Sequence, residues 1–272
     1  MQNSKIEINL SVPFLSGDPG KEYDLIVVNS HERSGTHFLM NTLDHTFKIY
    51  SAKPFLNFDL IPFSSVINFY SKESLEIFFN DLIKKRNISI IKSHFHSNFF
   101  IGLNNLLLKK IKFFFIYRNP IDALKSFWIF LHNCDWYEGP KIINFSEFCF
   151  SKPSGQLLRY QNGQCKNFID RYFEMLDGWN KFSKLNKNVF LISYELLNKE
   201  FEDSQKKISE FLKLNIKNNS RFKRNSYQEI KMNNLSDKLL FDKNNLEPIR
   251  KYIKEIIKEK KLSDLLLNSN IS

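Results

Sequence analysis

Residues 24–36 read Asp24-Leu25-Ile26-Val27-Val28-Asn29-Ser30-His31-Glu32-Arg33-Ser34-Gly35-Thr36, and their order decides the fold. An apolar, β-branched run of this length has the composition of a buried strand. It passes into a basic turn containing Gly35, and an amphipathic segment opens directly behind it. The whole reads as strand, phosphate-gripping loop and helix. A helix N-terminus presents unpaired N–H groups at the positive end of its macrodipole, so a loop held there by a buried strand is a ready anion site. The chain is therefore expected to bind a nucleotide. The loop lacks the G-x-x-x-x-G-K-[ST] of P-loop NTPases, in which Lys meets the phosphates and a hydroxyl meets Mg²⁺. It also lacks the three glycines of a dinucleotide fingerprint.

A second stretch has the same design. Ile111-Lys112-Phe113-Phe114-Phe115-Ile116-Tyr117 reads as an apolar strand, and Arg118-Asn119-Pro120-Ile121-Asp122-Ala123-Leu124-Lys125-Ser126 follows it. Pro120 suits the first turn of a helix. Arg118 then stands at the strand's carboxyl end and Ser126, eight residues on, about two turns into the helix. Both can face one phosphate, which the planar fork of Arg binds bidentately. Three more segments fall in line: Lys92-Ser93-His94 after the strand Ile88 to Ile91, Ile192-Ser193-Tyr194-Glu195-Leu196 ending another apolar strand, and Asn225-Ser226-Tyr227-Gln228-Glu229-Ile230-Lys231.

Taken together, these segments resemble the PAPS-dependent sulfotransferases of the cytosolic type. His31-Glu32-Arg33-Ser34-Gly35-Thr36-His37-Phe38 is similar to the 5′-phosphosulfate loop, Pro-[Lys/Arg]-Ser-Gly-Thr-Thr-[Trp/Phe/Leu]. Arg118 with Ser126 resembles the 3′-phosphate site, Tyr-Arg-Asn-Pro-x-Asp-x-x-x-Ser. Lys92-Ser93-His94 resembles the Lys-Thr-His that carries the family's base. The resemblance implies a donor, 3′-phosphoadenosine 5′-phosphosulfate (PAPS, leaving as PAP), bound by Arg33, Ser34, Gly35, Thr36, His37, Arg118 and Ser126. Tyr194, Tyr227 and Phe38 are its implied neighbours at the adenine, although Phe38 equally suits packing under the helix. It further implies in-line transfer of a sulfonate to a hydroxyl or amine, with His94 as general base. Lys92 would meet the bridging oxygen and Arg33 the leaving phosphate. No metal is required. One departure stands out: the family's Arg-Lys-Gly lid over the 3′-phosphate has no counterpart in residues 233–250, where Lys238 or Lys243 are the available substitutes.

Strand-like runs at 24–30, 88–92, 111–117 and 188–193 alternate with helical patterns, which predicts an α/β fold with a central parallel sheet flanked by helices and a P-loop-like phosphosulfate loop. No linker or repeat divides the 272 residues, so the expectation is an N-terminal extension over 1–23 and a single sulfotransferase domain over 24–272. The net charge of +11 suits a polyanionic donor, although a solvated lysine-rich surface explains most of it. The basic residues are scattered rather than set among aromatics on one face, which argues against nucleic acid as a partner. Cys134, Cys149 and Cys165 lack metal-ligand or C-x-x-C spacing, so a reducing cytoplasm is the expected compartment. No secretory leader and no transmembrane segment is expected. Leu246 to Leu267 reads as an amphipathic helix packed on the domain, with an anionic membrane surface as the other reading. The aromatic segment 127–165 falls where the resemblance implies an acceptor pocket, for a small-molecule or glycan acceptor, with an irregular core cover as the alternative. The acceptor itself and the oligomeric state are not legible. Two other functions compete: a catalytically inactive nucleotide-binding protein of the same fold, and a P-loop kinase, which the missing Gly-Lys-[Ser/Thr] disfavours.

Overall fold

A computed structural model describes residues 25–49, 71–85, 90–133, 139–221 and 241–266. Four strands are present in it: β1 (Leu25–Asn29), β2 (Ile90–Ser93), β3 (Ile111–Tyr117) and β4 (Val189–Ser193). The helices are α1 (Thr36–Phe47), α2 (Lys72–Lys85), α3 (Asn98–Ile101), α4 (Asn105–Lys109), α5 (Pro120–Asn133), α6 (Phe145–Phe150), α7 (Phe168–Leu185), α8 (Tyr194–Lys199), α9 (Phe201–Leu212), α10 (Glu247–Lys260) and α11 (Ser263–Leu266). All strand pairs are parallel, in the order β2-β1-β3-β4. The strand expectations therefore hold within a residue or two, as does the α/β class. The expected extension at 1–23 lies outside the described residues.

Why the strands are apolar along their whole length follows from what covers them. Side chains alternate faces, and both faces are buried. Ile26, Val28, Phe114, Ile116 and Ile192 face α1, α8 and α9, where Leu39, Leu43, Phe201 and Ile208 complete one core. Val27, Ile91, Phe113 and Phe115 face the other way, into a larger core with Phe79, Phe100, Trp179, Phe182 and Ile249. Every residue of β3 is buried, Lys112 included. Its ammonium is met by the Asn188 side-chain oxygen at 2.9 Å and by the face of Phe211 at 4.7 Å, which makes a buried lysine tolerable.

The chain leaves β1 toward β2 on one side, then returns past β1 to place β3 on the other. The loops after β1 and β3 thus diverge, and a crevice opens between them at the carboxyl ends of the strands, where open α/β sheets bind ligands. Within the segment 127–165, of which residues 134–138 lie outside the described residues, Phe127, Trp128, Leu131, Phe145, Phe148, Leu157 and Tyr160 are buried. α10 packs on the domain through buried Ile249, Ile253 and Ile256. Among the described residues no helix is long and apolar enough to cross a membrane.

Candidate functional site

The loop after β1 is shaped by two residues of left-handed backbone, Arg33 (φ 63°) and Gly35 (φ 106°). Glycine is required at 35 for a second reason. A Cβ there would lie 2.6 Å from Tyr194 Cδ2 and 3.2 Å from Ile116 Cδ1, so the Tyr194 ring closes directly over the backbone. Gly35 is also the N-cap of α1 and supplies no side-chain cap, nor does the first turn carry an acidic residue. The first N–H groups of α1 are thus left to an anion. Ser34 donates its N–H to the His31 carbonyl (3.2 Å), and its hydroxyl oxygen is buried with no hydrogen-bond partner. The Thr36 and Ser30 hydroxyls lie 2.6 Å apart. His37 is exposed, whereas Phe38 is buried in the α1-side core with its ring edge-on to Tyr194 at 5.6 Å.

The residues expected at the 3′-phosphate, Arg118 and Ser126, follow β3. Asn119 caps α5, its side-chain oxygen accepting from Ile121 N (2.9 Å) and Asp122 N (3.2 Å), and its own N–H is held by Glu195 at 2.8 Å. The Tyr172 hydroxyl donates to the Arg118 carbonyl. Arg118 is thereby fixed with its guanidinium 4.9 Å from the centre of the Tyr194 ring and 4.0 Å from Asp122, while its Nε is buried with no hydrogen-bond partner. Arg33 Nε donates to Ser126 Oγ at 3.3 Å, and its guanidinium lies over Phe130 at 5.1 Å. The structure therefore brings Arg33, Ser34, Gly35, Thr36, Arg118, Ser126 and Tyr194 around one crevice. Tyr227 and Lys238 lie outside the described residues, as does the side chain of Lys243.

His94 leaves the end of β2 and turns under the loop. Its Nδ1 lies 2.9 Å from the Ser30 carbonyl. That bond requires a proton on Nδ1, so Nε2 is the proton-accepting nitrogen of the neutral ring. Burial, and secondarily the Lys92 ammonium, hold the His94 pKa down at about 3, against a smaller opposing effect of the Glu32 carboxylate. Tyr160 packs edge-on to the ring, with centroids 5.9 Å apart. His96, two residues further along, is held by other partners. Its Nδ1 accepts from Asn98 N (3.1 Å), and its Nε2 donates to the Glu174 carbonyl in α7 (3.2 Å). Gly178 makes room for it, since a Cβ there would come within 2.4 Å of the ring.

Sequence reasoning missed a charged cluster beneath the loop. Arg171, on α7 and 1% exposed, bonds both oxygens of Glu32, at 2.6 and 2.7 Å. The same guanidinium donates to His31 Nε2 at 2.9 Å, and His31 Nδ1 donates to the Glu32 carbonyl at 3.0 Å. Despite the cost of burial, Arg171 keeps Glu32 ionised well below the usual carboxylate range. Burial lowers His31 to about 4. One signal was available: Arg171 occupies the apolar stripe of α7 between Phe168 and Met175, and a buried arginine needs an anion.

Among solved structures, the chain aligns with a sulfotransferase from Alicyclobacillus acidocaldarius at a TM-score of 0.50 and 13% identity, over 89% of this chain and 94% of that one. It aligns with mouse sulfotransferase SULT7A1, solved with PAP, at a TM-score of 0.45 and 20% identity, over 73% of this chain; it spans only 61% of that protein. A retinol dehydratase solved with retinol and PAP gives a TM-score of 0.46 at 14% identity, over 87% of this chain and 82% of that one. No curated protein matches it in sequence. The family model described as the sulfotransferase domain matches residues 23–263, and the chain belongs to the sulfotransferase domain family.

Proposed function

We propose that the protein is a PAPS-dependent sulfotransferase that moves a sulfonate to a hydroxyl or amine of a small-molecule or glycan acceptor, with His94 as general base. The observation that carries this reading is the Arg33–Ser126 contact. It joins the loop suited to a phosphosulfate and the Arg118–Ser126 pair suited to a 3′-phosphate at one crevice. The groups present fit such a donor: Ser34 Oγ and Arg118 Nε are buried without partners, and buried polar atoms of that kind call for a ligand. PAPS supplies an activated sulfonate when bound. The N–H groups of residues 35–37 and the Arg118 guanidinium hold its anionic ends. Arg33 offsets charge on the departing phosphate, and His94 Nε2 takes the acceptor's proton. Enclosure of His94 beneath the loop keeps the ring neutral over the physiological range, which a base requires. The free buried thiols of Cys149 and Cys165 fit a reducing compartment, and we place the activity in the cytoplasm. The relatives solved with retinol or androsterone suggest apolar alcohols as a first acceptor set.

The test is twofold. PAP should bind without metal and lose most of its affinity in Arg118→Ala, which removes a charge-assisted contact. Incubation with sulfur-labelled PAPS and a panel of hydroxyl and amine acceptors should label at least one of them. PAP binding with no labelling across a broad panel points to the inactive binder; no PAP binding rejects both.

A further inference from the structure

The proposed transfer uses neither member of the buried Arg171–Glu32 pair, and it is placed where only the shape of the loop is at stake. We propose that Arg171 is a positioning residue that holds the loop 30–35 in its anion-binding conformation through Glu32; the inference rests on the reading of that loop as the donor's phosphosulfate site.

Three observations support it. The loop adopts left-handed backbone at both Arg33 and Gly35, and at a non-glycine residue that conformation persists only where surrounding contacts impose it. Glu32 directly precedes Arg33, and both of its carboxylate oxygens are held by one guanidinium. The same guanidinium also bonds His31, whose ring in turn holds the Glu32 carbonyl. Two consecutive loop residues are thus tied to α7 by a side chain 139 positions away in sequence. The electrostatics agree. A lone carboxylate under the loop would repel an anion, but the buried pair is neutral as a unit, so its effect on a bound donor is geometric rather than attractive. Lysine cannot replace Arg171, because a single ammonium lacks the fork that spans Glu32 and His31 together.

The test uses Arg171→Lys and the charge-free pair Glu32→Gln/Arg171→Gln, the second chosen because it leaves no uncompensated buried charge. In folded samples PAP affinity should fall about tenfold or more, as misplacement of a binding loop implies. Amide hydrogen exchange at Ser34, whose N–H bonds the His31 carbonyl within the loop, should accelerate while β1 and β3 stay protected. A purely structural role would lower the melting temperature without singling out that amide. Folded variants with wild-type PAP affinity and unchanged loop exchange would overturn the proposal. Should neither variant fold, the unliganded wild type decides: slow exchange at the Ser34 amide, which bonds the His31 carbonyl, supports a pre-formed loop, and exchange there at the free-peptide rate refutes it. If wild-type protein fails to bind PAP, the functional reading falls, whereas loop exchange in the variants still reports on Arg171.

Discussion

At the scale of single residues the buried histidines make the clearest forecasts. His31 and His94 have pKa values of about 4 and about 3 in the folded protein, against about 6.5 in an unfolded chain. The unfolded state therefore binds more protons between those limits, and stability rises with pH there. Melting temperature should be flat above about pH 7 and fall steadily as the pH is lowered through 6 to 4. A curve with no acid-side loss in differential scanning fluorimetry would contradict the buried, neutral assignment. His94→Ala should reduce turnover by about 10²–10⁴-fold and leave PAP affinity nearly unchanged, because the proposed base acts on the acceptor's proton rather than on the nucleotide. His96→Ala should show the opposite pattern. That ring ties the turn after β2 to α7, so the variant should melt earlier while retaining kcat in its folded fraction; parallel kinetic and melting measurements on the two variants separate the roles.

Among the elements, α7 carries more than its length suggests. One face presents Trp179, stacked on Phe115 of β3 with centroids 5.4 Å apart and an interplanar angle of 11°. The indole N–H donates to the Phe95 carbonyl at 3.2 Å. Trp179→Ala should destabilise the protein by about 3–5 kcal/mol through the cavity it leaves, read as a drop in urea midpoint at constant slope; a loss under about 1 kcal/mol would show that neighbouring rings collapse into the gap. The elements were the legible part of the sequence. β3 is a run whose both faces are covered, so apolar continuity marked it, and Pro120 marked the start of α5. Arg33, Gly35, Arg118 and Ser126 were legible because local spacing sets their relation to a strand end. Arg171 and Tyr160 were not. Each reaches the site from a helix turn distant in sequence, and periodicity places such residues in the core without saying what they touch there. The segment 127–165 stayed divided between pocket lining and core cover for the same reason, since aromatic content marks buried surface and leaves open whether a ligand or a helix covers it.

For the molecule as a whole, charge and ligand act together. A net charge of +11 should draw a polyanionic nucleotide by long-range attraction that salt screens. PAP association should slow several-fold between about 50 and 300 mM salt with a smaller change in dissociation rate; equal effects on both rates in stopped-flow measurements would place the attraction in local contacts alone. Saturating PAP, at about a hundred times its dissociation constant, should add about 2.7 kcal/mol to stability. The strand order has one more consequence, for the chain during its synthesis. β1 is paired on both edges only after β2 and β3 have been made, and the Glu32 carboxylate waits 139 residues for its guanidinium. At translation rates of about 5–20 residues per second, the loop's charged partner emerges about 7–28 s after it. Until β2 and β3 follow it, the β-branched run of β1 is an unsheltered hydrophobic segment, so the nascent chain presents an aggregation-prone strand before its sheet partners exist.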